Sequence, residues 1–155
     1  MAVDMILFFT IYSFLGWVLE TLFASIEHRK FINRGFLRGP FTPIYGFGGI
    51  LVVSYIRWSP FSLEDKSLLL IINLIISIAL VTILEFVTGL ILEKIFHEKW
   101  WDYSHNALNV KGYICIKYSM LWGVLAFALI QVVHPIINAK RSEEHTSELQ
   151  SRFGI

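Results

Sequence analysis

Two glutamates interrupt the most apolar parts of this sequence, where a charged side chain is least expected. Glu20 lies within the run FLGWVLETLF and Glu85 within the run VTILEFVTGL. A carboxylate facing lipid at mid-bilayer costs about 3 kcal/mol even on a lenient insertion scale. Each acid is therefore expected to face the interior of a helix bundle. There it either forms part of a substrate, ion or proton path, or joins helices through hydrogen bonds. The path is favoured, because the acids form a matched pair.

The match lies in the surroundings of the two acids. Glu20 and Glu85 each precede the first Lys or Arg of the following loop by nine residues. At about 1.5 Å per helical residue, both carboxylates would lie roughly 13 Å from that basic residue and at similar depth. Small and polar residues share the face of each acid, namely Ser13, Gly16 and Ala24 beside Glu20, and Ser77, Gly89 and Glu93 beside Glu85.

A short loop element also occurs twice. After each acid-bearing run, an Asn, a basic residue, a Gly and an aromatic residue follow in that order. They read NRGF from Asn33 to Phe36 and NVKGY from Asn109 to Tyr113. A second apolar run comes after each element. The pattern predicts two helical hairpins related by a parallel internal repeat.

The composition indicates the elements that must hold these residues. Of the 155 residues, 55% are hydrophobic and 16% are charged, and the mean hydropathy is +0.62. A soluble domain would carry about 25% charged residues. The apolar residues fall in four long blocks, at about 5–26, 36–56, 68–92 and 113–137. The sequence predicts an all-α membrane protein, a polytopic bundle of about four transmembrane helices in one integral membrane domain, residues 1–140.

The second block differs from the others. It begins with Gly39, Pro40 and Pro43, and its uninterrupted part, Ile44 to Ile56, has only 13 residues. A straight spanning helix needs about 20. The start is therefore either a kinked first turn or a broken, re-entrant segment. If it folds back, the neighbouring Arg34 and Arg38 could reach Glu20 and Glu85, and all four are candidate residues of a substrate or ion path.

The distribution of Lys and Arg predicts the orientation. The loops after the first and third blocks are the more basic ones, which favours a cytoplasmic position for them and an N-terminus outside. The sequence thus predicts a multi-pass membrane protein whose two basic loops face the cytoplasm. The residues expected to form an interface motif in these loops are Asn33, Gly35, Pro40, Pro43, Trp100, Trp101, Asp102, Tyr103, Asn109 and Gly112.

Several classes of function lack support in the sequence. The phosphate-binding pattern G-x-x-x-x-G-K-[ST] does not occur, and no His and Glu have the spacing of a zinc site. The formal net charge of +1 and the absence of a basic face argue against nucleic-acid binding. Cys115 is the single cysteine, so no internal disulfide can form. No metal or cofactor is expected.

The final segment, residues 141–155, is polar and unpatterned. Its start, RSEEHTSELQS, looks like the translation of a sequencing-library adapter. We therefore interpret residues 141–155 as a non-native tail and exclude them from the fold.

Longer strings of the chain resemble a known family. They include FFTIYSFLGWVLETLFASI, KFINRGFLRGPFTPIYGFG, ILEFVTGLILEKIF, KWWDYS and NVKGYICIKYSMLWG, and they extend from about Ile6 to Ile137. Together they resemble the bacterial family of putative ABC-transporter permeases, also described as type IV membrane proteins. The resemblance implies a multi-spanning permease-like subunit in the lipid bilayer, served by a separate cytoplasmic ATPase. The resemblance leaves open whether the chain also forms a homo-oligomer.

Two alternatives stay open beside the permease. The first is an intramembrane enzyme acting on lipid head groups, with Arg34, Arg38, Trp101, Asp102 and His105 at the cytoplasmic interface. The second is a structural or regulatory membrane protein. A tightly packed bundle in which both glutamates bond to neighbouring side chains would favour it.

Overall fold

The computed structural model describes residues 2–59, 61, 64–137 and 139, and these residues form an all-α bundle with one short β-hairpin. The helices are α1 (Ala2–His28), α2 (Pro43–Trp58), α3 (Lys66–Phe96) and α4 (Ile116–Ala128). The last helix continues through a π-helical turn, Leu129–Val133, and further helical residues up to position 137. The hairpin pairs β1 (Asn109–Val110) with β2 (Ile114–Cys115) in antiparallel register.

Among the described residues, three helices are long and apolar enough to span a membrane. They are Asp4–His28, Lys66–Phe96 and Ile116–Ile137. The fourth expected span is not shown. With 16 residues, α2 is about 24 Å long, whereas the hydrocarbon core of a bilayer measures about 30 Å.

The short second helix results from a broken start, which was the second of the two alternatives. The helix begins only at Pro43, whose fixed φ and missing N–H suit the first helical position. Ahead of it, residues 36–38 form a separate 3₁₀ turn, in which Leu37 and Arg38 have positive φ values of 50° and 66°. Pro40 lies between the turn and the helix, and its own missing N–H cannot support a continuous ladder.

The loop between α1 and α2 folds back along α1. Trp17 donates its indole N–H to Asn33 Oδ1 at 2.7 Å, and the N–H of Arg34 donates to Thr21 Oγ1 at 3.4 Å. Farther back, the N–H of Thr42 donates to the carbonyl of Ser13 at 3.1 Å. The second helix therefore starts beside the middle of α1 and not beside its end.

The loop between α3 and α4 folds back in the same manner. The Tyr113 hydroxyl donates to Glu93 Oε2 at 2.5 Å. The Tyr103 hydroxyl donates to Glu85 Oε1 at 3.2 Å, about two turns deeper along α3. Irregular backbone is tolerated at membrane depth only where protein or a polar cavity surrounds it. Both loops meet this condition in part by packing against their own preceding helix.

Three close approaches set the order and direction of the helices. Gly46 of α2 packs against Ser13 and Phe9 of α1, and Gly48 faces Val81 and Leu84 of α3. The Tyr55 hydroxyl, farther along α2, bonds to Asn73 Oδ1, which lies earlier in α3. The second helix thus runs antiparallel to α3. Since it runs antiparallel to α1 as well, α1 and α3 are parallel to each other.

The two hairpins pack in the same register. Gly46 contacts Ser13, which precedes Glu20 by seven residues, and Gly123 contacts Ile78, which precedes Glu85 by seven residues. The two glycines also follow the glycines of NRGF and NVKGY by the same eleven residues. These matched contacts agree with the internal repeat expected from the loop elements, which stays a prediction.

A substitution at Gly35 tests the folded-back first loop. A Cβ at this position would overlap the carbonyl of Gly39 and crowd the Trp17 ring, so Gly35→Ala is expected to detach the loop from α1. The matched control is Gly39→Ala, because a Cβ there meets only the Phe36 carbonyl at 3.5 Å. Trypsin cleavage after Arg34 or Arg38 should accelerate several-fold in Gly35→Ala alone. Equal cleavage rates in the two variants would contradict the loop geometry.

Candidate functional site

Glu85 lies on the buried face of α3. Its exposed fraction is 3%, and its neighbours at four-residue spacing, Ser77, Val81 and Gly89, are also buried. Residues four apart lie on the same helix face. The prediction that this acid faces the bundle is confirmed.

Glu20 lies on the corresponding face of α1. Ser13, Gly16 and Ala24 on that face are buried, whereas Glu20 itself is partly buried. Its Oε1 accepts a hydrogen bond of 2.7 Å from the hydroxyl of Tyr45. This bond ties the first acid to the first turn of α2.

Aromatic side chains connect the two acids. The Tyr45 ring contacts the Trp122 ring of α4, with 5.0 Å between centroids, and the Trp122 side chain lies close to the Glu85 carboxylate. Tyr103, which donates to Glu85, stacks on Tyr118 with centroids 4.3 Å apart. We call this group the acid–aromatic cluster. It consists of Glu20, Tyr45, Glu85, Tyr103, Tyr118 and Trp122.

The cluster holds acids without a compensating base. The two carboxylates are near enough for their charges to interact. Glu85 Oε2 is buried and accepts no hydrogen bond. Burial and the neighbouring Glu85 carboxylate raise the pKa of Tyr103 above its usual range, so its hydroxyl keeps the proton that it donates. Chemically, this arrangement can attract a positive charge to a site lined by aromatic rings.

Arg34 and Arg38 are not part of this cluster. Both are exposed. Among the described residues, no hydrogen bond or ion pair joins either side chain to Glu20 or Glu85, and Glu20 bonds instead to Tyr45. The fold-back of the loop brings its backbone to α1 but leaves these two side chains at the surface. A role for the arginines in a path stays a prediction.

The two repeated asparagines brace their loops. Asn33 Oδ1 accepts from the N–H of Gly35 at 2.9 Å, and Asn109 Oδ1 accepts from the N–H of Gly112 at 3.2 Å. Gly112 has a φ of +76°, in the region that favours glycine. The shared Asn–Gly hydrogen bond explains the repeated element, because it shapes the turn before each return helix.

The remaining residues of the expected interface motif also have structural contacts. Trp100 stacks on Phe36 with centroids 5.2 Å apart and thereby joins the two loops, and the Trp101 indole donates to the Tyr113 carbonyl at 2.8 Å. Asp102 accepts from the N–H and hydroxyl of Ser104, and these bonds hold the pKa of its carboxyl below the usual range. Its exposed position indicates a loop brace.

The residues of the proposed enzyme site are not gathered. Arg34, Arg38 and His105 are exposed, and within the described residues no hydrogen bond or ion pair joins the two arginines to Trp101 or Asp102. The two loops are instead joined by an apolar contact, the stack of Trp100 on Phe36.

Sequence reasoning missed three members of the cluster as partners of the acids. Tyr45 and Trp122 are not among the residues predicted from the sequence to form a path, and Tyr103 is predicted only as part of the interface motif. One signal was present. Tyr45 and Trp122 each follow the glycine of the repeated element, Gly35 and Gly112, by ten residues. The equivalent positions of two hairpins thus meet in one ring pair.

A family profile described as Putative ABC-transporter type IV matches residues 7–153. The chain belongs to this family. The match includes residues 141–153, which lie outside the described residues, and the interpretation of that segment as a non-native tail stays a prediction. No curated protein and no solved structure matches the chain. The family relates the chain to ABC transporters at the membrane.

Removal of the Tyr103 hydroxyl tests the bond to Glu85. In Tyr103→Phe both oxygens of a buried carboxylate lack a donor hydroxyl, so the free energy of unfolding is expected to fall by about 1–3 kcal/mol. The matched control is Tyr118→Phe in the stacked partner ring, which should change little. Denaturant titration in mixed micelles, followed by tryptophan fluorescence, measures both. A loss of stability in Tyr118→Phe as large as in Tyr103→Phe would contradict this assignment.

Proposed function

We propose that the chain is the permease-like membrane subunit of an ABC-type transporter in a bacterial cytoplasmic membrane. The family supports the transporter class, and the acid–aromatic cluster is the observation that carries the permease role. In this proposal Glu20 and Glu85 line the transport path. The tyrosines and Trp122 hold the acids in place between the two hairpins.

The ATPase is a separate chain in this proposal, because the sequence has no phosphate-binding loop of its own. The N-terminus lies outside. The loops that contain Asn33 and Asn109 are then cytoplasmic and meet the ATPase. The stacked Phe36 and Trp100 support this role, since they join both loops into one surface.

The structural interpretation also draws support from the hydrogen bonds, because each acid bonds to a tyrosine. One atom argues against it. A residue used only to join helices gains most when all its polar atoms are paired, yet Glu85 Oε2 is buried without a partner. An unpaired buried oxygen is the feature expected of a group that binds something further.

Substitution of the acids tests the path. In Glu20→Gln and Glu85→Gln we expect the stimulation of ATPase activity by this subunit, measured in the assembled transporter, to fall by at least about tenfold. Expression and folding should be retained. The matched control is Glu93→Gln, which removes a carboxylate of the same helix that bonds to Tyr113 near the loop.

Purification from native membranes tests the partner. The tagged chain, extracted in mild detergent, is expected to retain an ATPase subunit in stoichiometric amount. Recovery of the folded chain without any ATPase would overturn the ABC assignment.

A further inference from the structure

The balance of charge in the acid–aromatic cluster indicates the sign of its ligand. The exposed fraction of Glu85 is only 3%, and its Oε2 has no hydrogen-bond partner. Glu20 lies near enough to add its own charge. Among the described residues, the donors beside these carboxylates are neutral, namely the Tyr45 and Tyr103 hydroxyls and the Trp122 side chain, and no Lys, Arg or His forms an ion pair with them. A buried carboxylate without a cation is unfavourable, so the two acids favour either a bound proton or another positively charged occupant.

The walls of the cluster indicate the kind of cation. Tyr45 and Trp122 form one ring pair, and Tyr103 and Tyr118 form another. The faces of Trp and Tyr attract cations that have shed their water, and they suit alkylated ammonium groups in particular. Small hard metal ions instead prefer a shell of oxygen ligands. Rings on two sides of a carboxylate pair therefore match an organic cation better than a metal ion.

We propose that the acid–aromatic cluster binds an organic cation of the alkylammonium class. The proposal rests on the proposed function, in that it takes the cluster as the substrate site of the permease. The carboxylates of Glu20 and Glu85 neutralise the charge, and the Trp122 and tyrosine rings contact the alkyl groups. The repeat explains why both hairpins contribute, since each supplies one acid and one ring at equivalent positions.

Binding is tested on the purified full chain in lipid nanodiscs, without an ATPase. Tetramethylammonium chloride is the probe, tert-butanol is the neutral molecule of similar size, and sodium chloride controls for ionic strength. We expect a saturable rise in Tm and a saturable change in tryptophan fluorescence with tetramethylammonium alone. An equal response to tert-butanol or to sodium, or no response to tetramethylammonium, would overturn the proposal.

The variants locate the binding. Glu20→Gln and Glu85→Gln should weaken tetramethylammonium binding by at least about tenfold. Trp122→Leu should weaken it by several-fold, whereas Trp58→Leu, at an exposed ring 78% accessible, should not. The Tm of each variant without probe shows that it is folded. Undiminished affinity in folded Glu85→Gln would overturn the assignment of the site.

The two proposals fail separately. Binding of tetramethylammonium by a chain that retains no ATPase would overturn the ABC assignment and leave the cation site standing. A chain that retains its ATPase, and loses transporter activity in the glutamine variants, but does not bind tetramethylammonium would overturn the cation class alone.

Discussion

Alanine in place of Gly46 is expected to separate α1 from α2 and to lower the free energy of unfolding by about 1–3 kcal/mol. The Cβ would overlap Ser13 Oγ and crowd the Phe9 ring. Ser13 is fully buried and its side chain is short, so it cannot move aside as the end of a long side chain can. The helices must shift instead, and with them the Tyr45 hydroxyl that bonds to Glu20.

Gly48 supplies the matched control two residues farther along the same helix. A Cβ at Gly48 would meet Leu84 and Val81 at 3.7–3.9 Å, which is ordinary contact. Because alanine favours a helix over glycine, Gly48→Ala should leave stability unchanged or raise it by up to about 1 kcal/mol. Denaturant titration in mixed micelles compares the two. A stability loss of the same size in both variants would show that α2 does not approach α1 as described.

The equivalent change in the second hairpin should be milder. At Gly123 the nearest atom is Ile78 Cδ1 at 2.7 Å, the far end of a flexible side chain that can change rotamer. We therefore expect Gly123→Ala to destabilise less than Gly46→Ala. The register is shared, but the residue opposite the glycine is not.

Methionine in place of Glu85 is expected to change stability by less than about 1 kcal/mol while abolishing the proposed function, because removal of the unpaired Oε2 offsets the loss of the Tyr103 bond. The buried, unpaired Oε2 disappears, and an apolar side chain of similar length fills the space. If the acid served only to join helices, the same change would cost about 1–3 kcal/mol. Denaturant titration, paired with the activity of the assembled transporter, distinguishes the two roles.

A second variant makes this expectation sharper. Tyr103→Phe alone should destabilise, but combined with Glu85→Met it should cost little, because both partners of the buried bond are then apolar. The Tyr103→Phe change would thus be non-additive with Glu85→Met. Additive losses in the double variant would show that the hydroxyl and the carboxylate act independently.

Much of the fold could be predicted from local patterns. The apolar runs predicted the helices, and the four-residue spacing around Glu85 predicted which face of α3 is buried. The small residues beside Glu20 predicted the face of α1. The repeated Asn–Gly element predicted two related hairpins. These features depend on helical periodicity, which is a property of neighbouring residues.

The partners of the acids could not be predicted in this way. Tyr45 and Trp122 meet because two loops turn back along their own helices, and those turns depend on left-handed backbone at residues such as Leu37 and Arg38. Leucine and arginine rarely adopt a left-handed backbone conformation, so their presence in a sequence does not predict one. The expected link from Arg34 and Arg38 to the acids was not found for the same reason, since the turn directs the backbone inward and leaves the side chains exposed.

By itself, the sequence determined a helical membrane protein with two acids at matched positions on the inner faces of two helices. Local apolar periodicity and the high cost of a lipid-facing charge suffice for that. The tertiary structure decided that α2 is a short helix behind a folded-back loop, and that aromatic rings connect Glu20 and Glu85 into one cluster. Contacts between distant segments depend on how each loop returns, and no local pattern encodes that return.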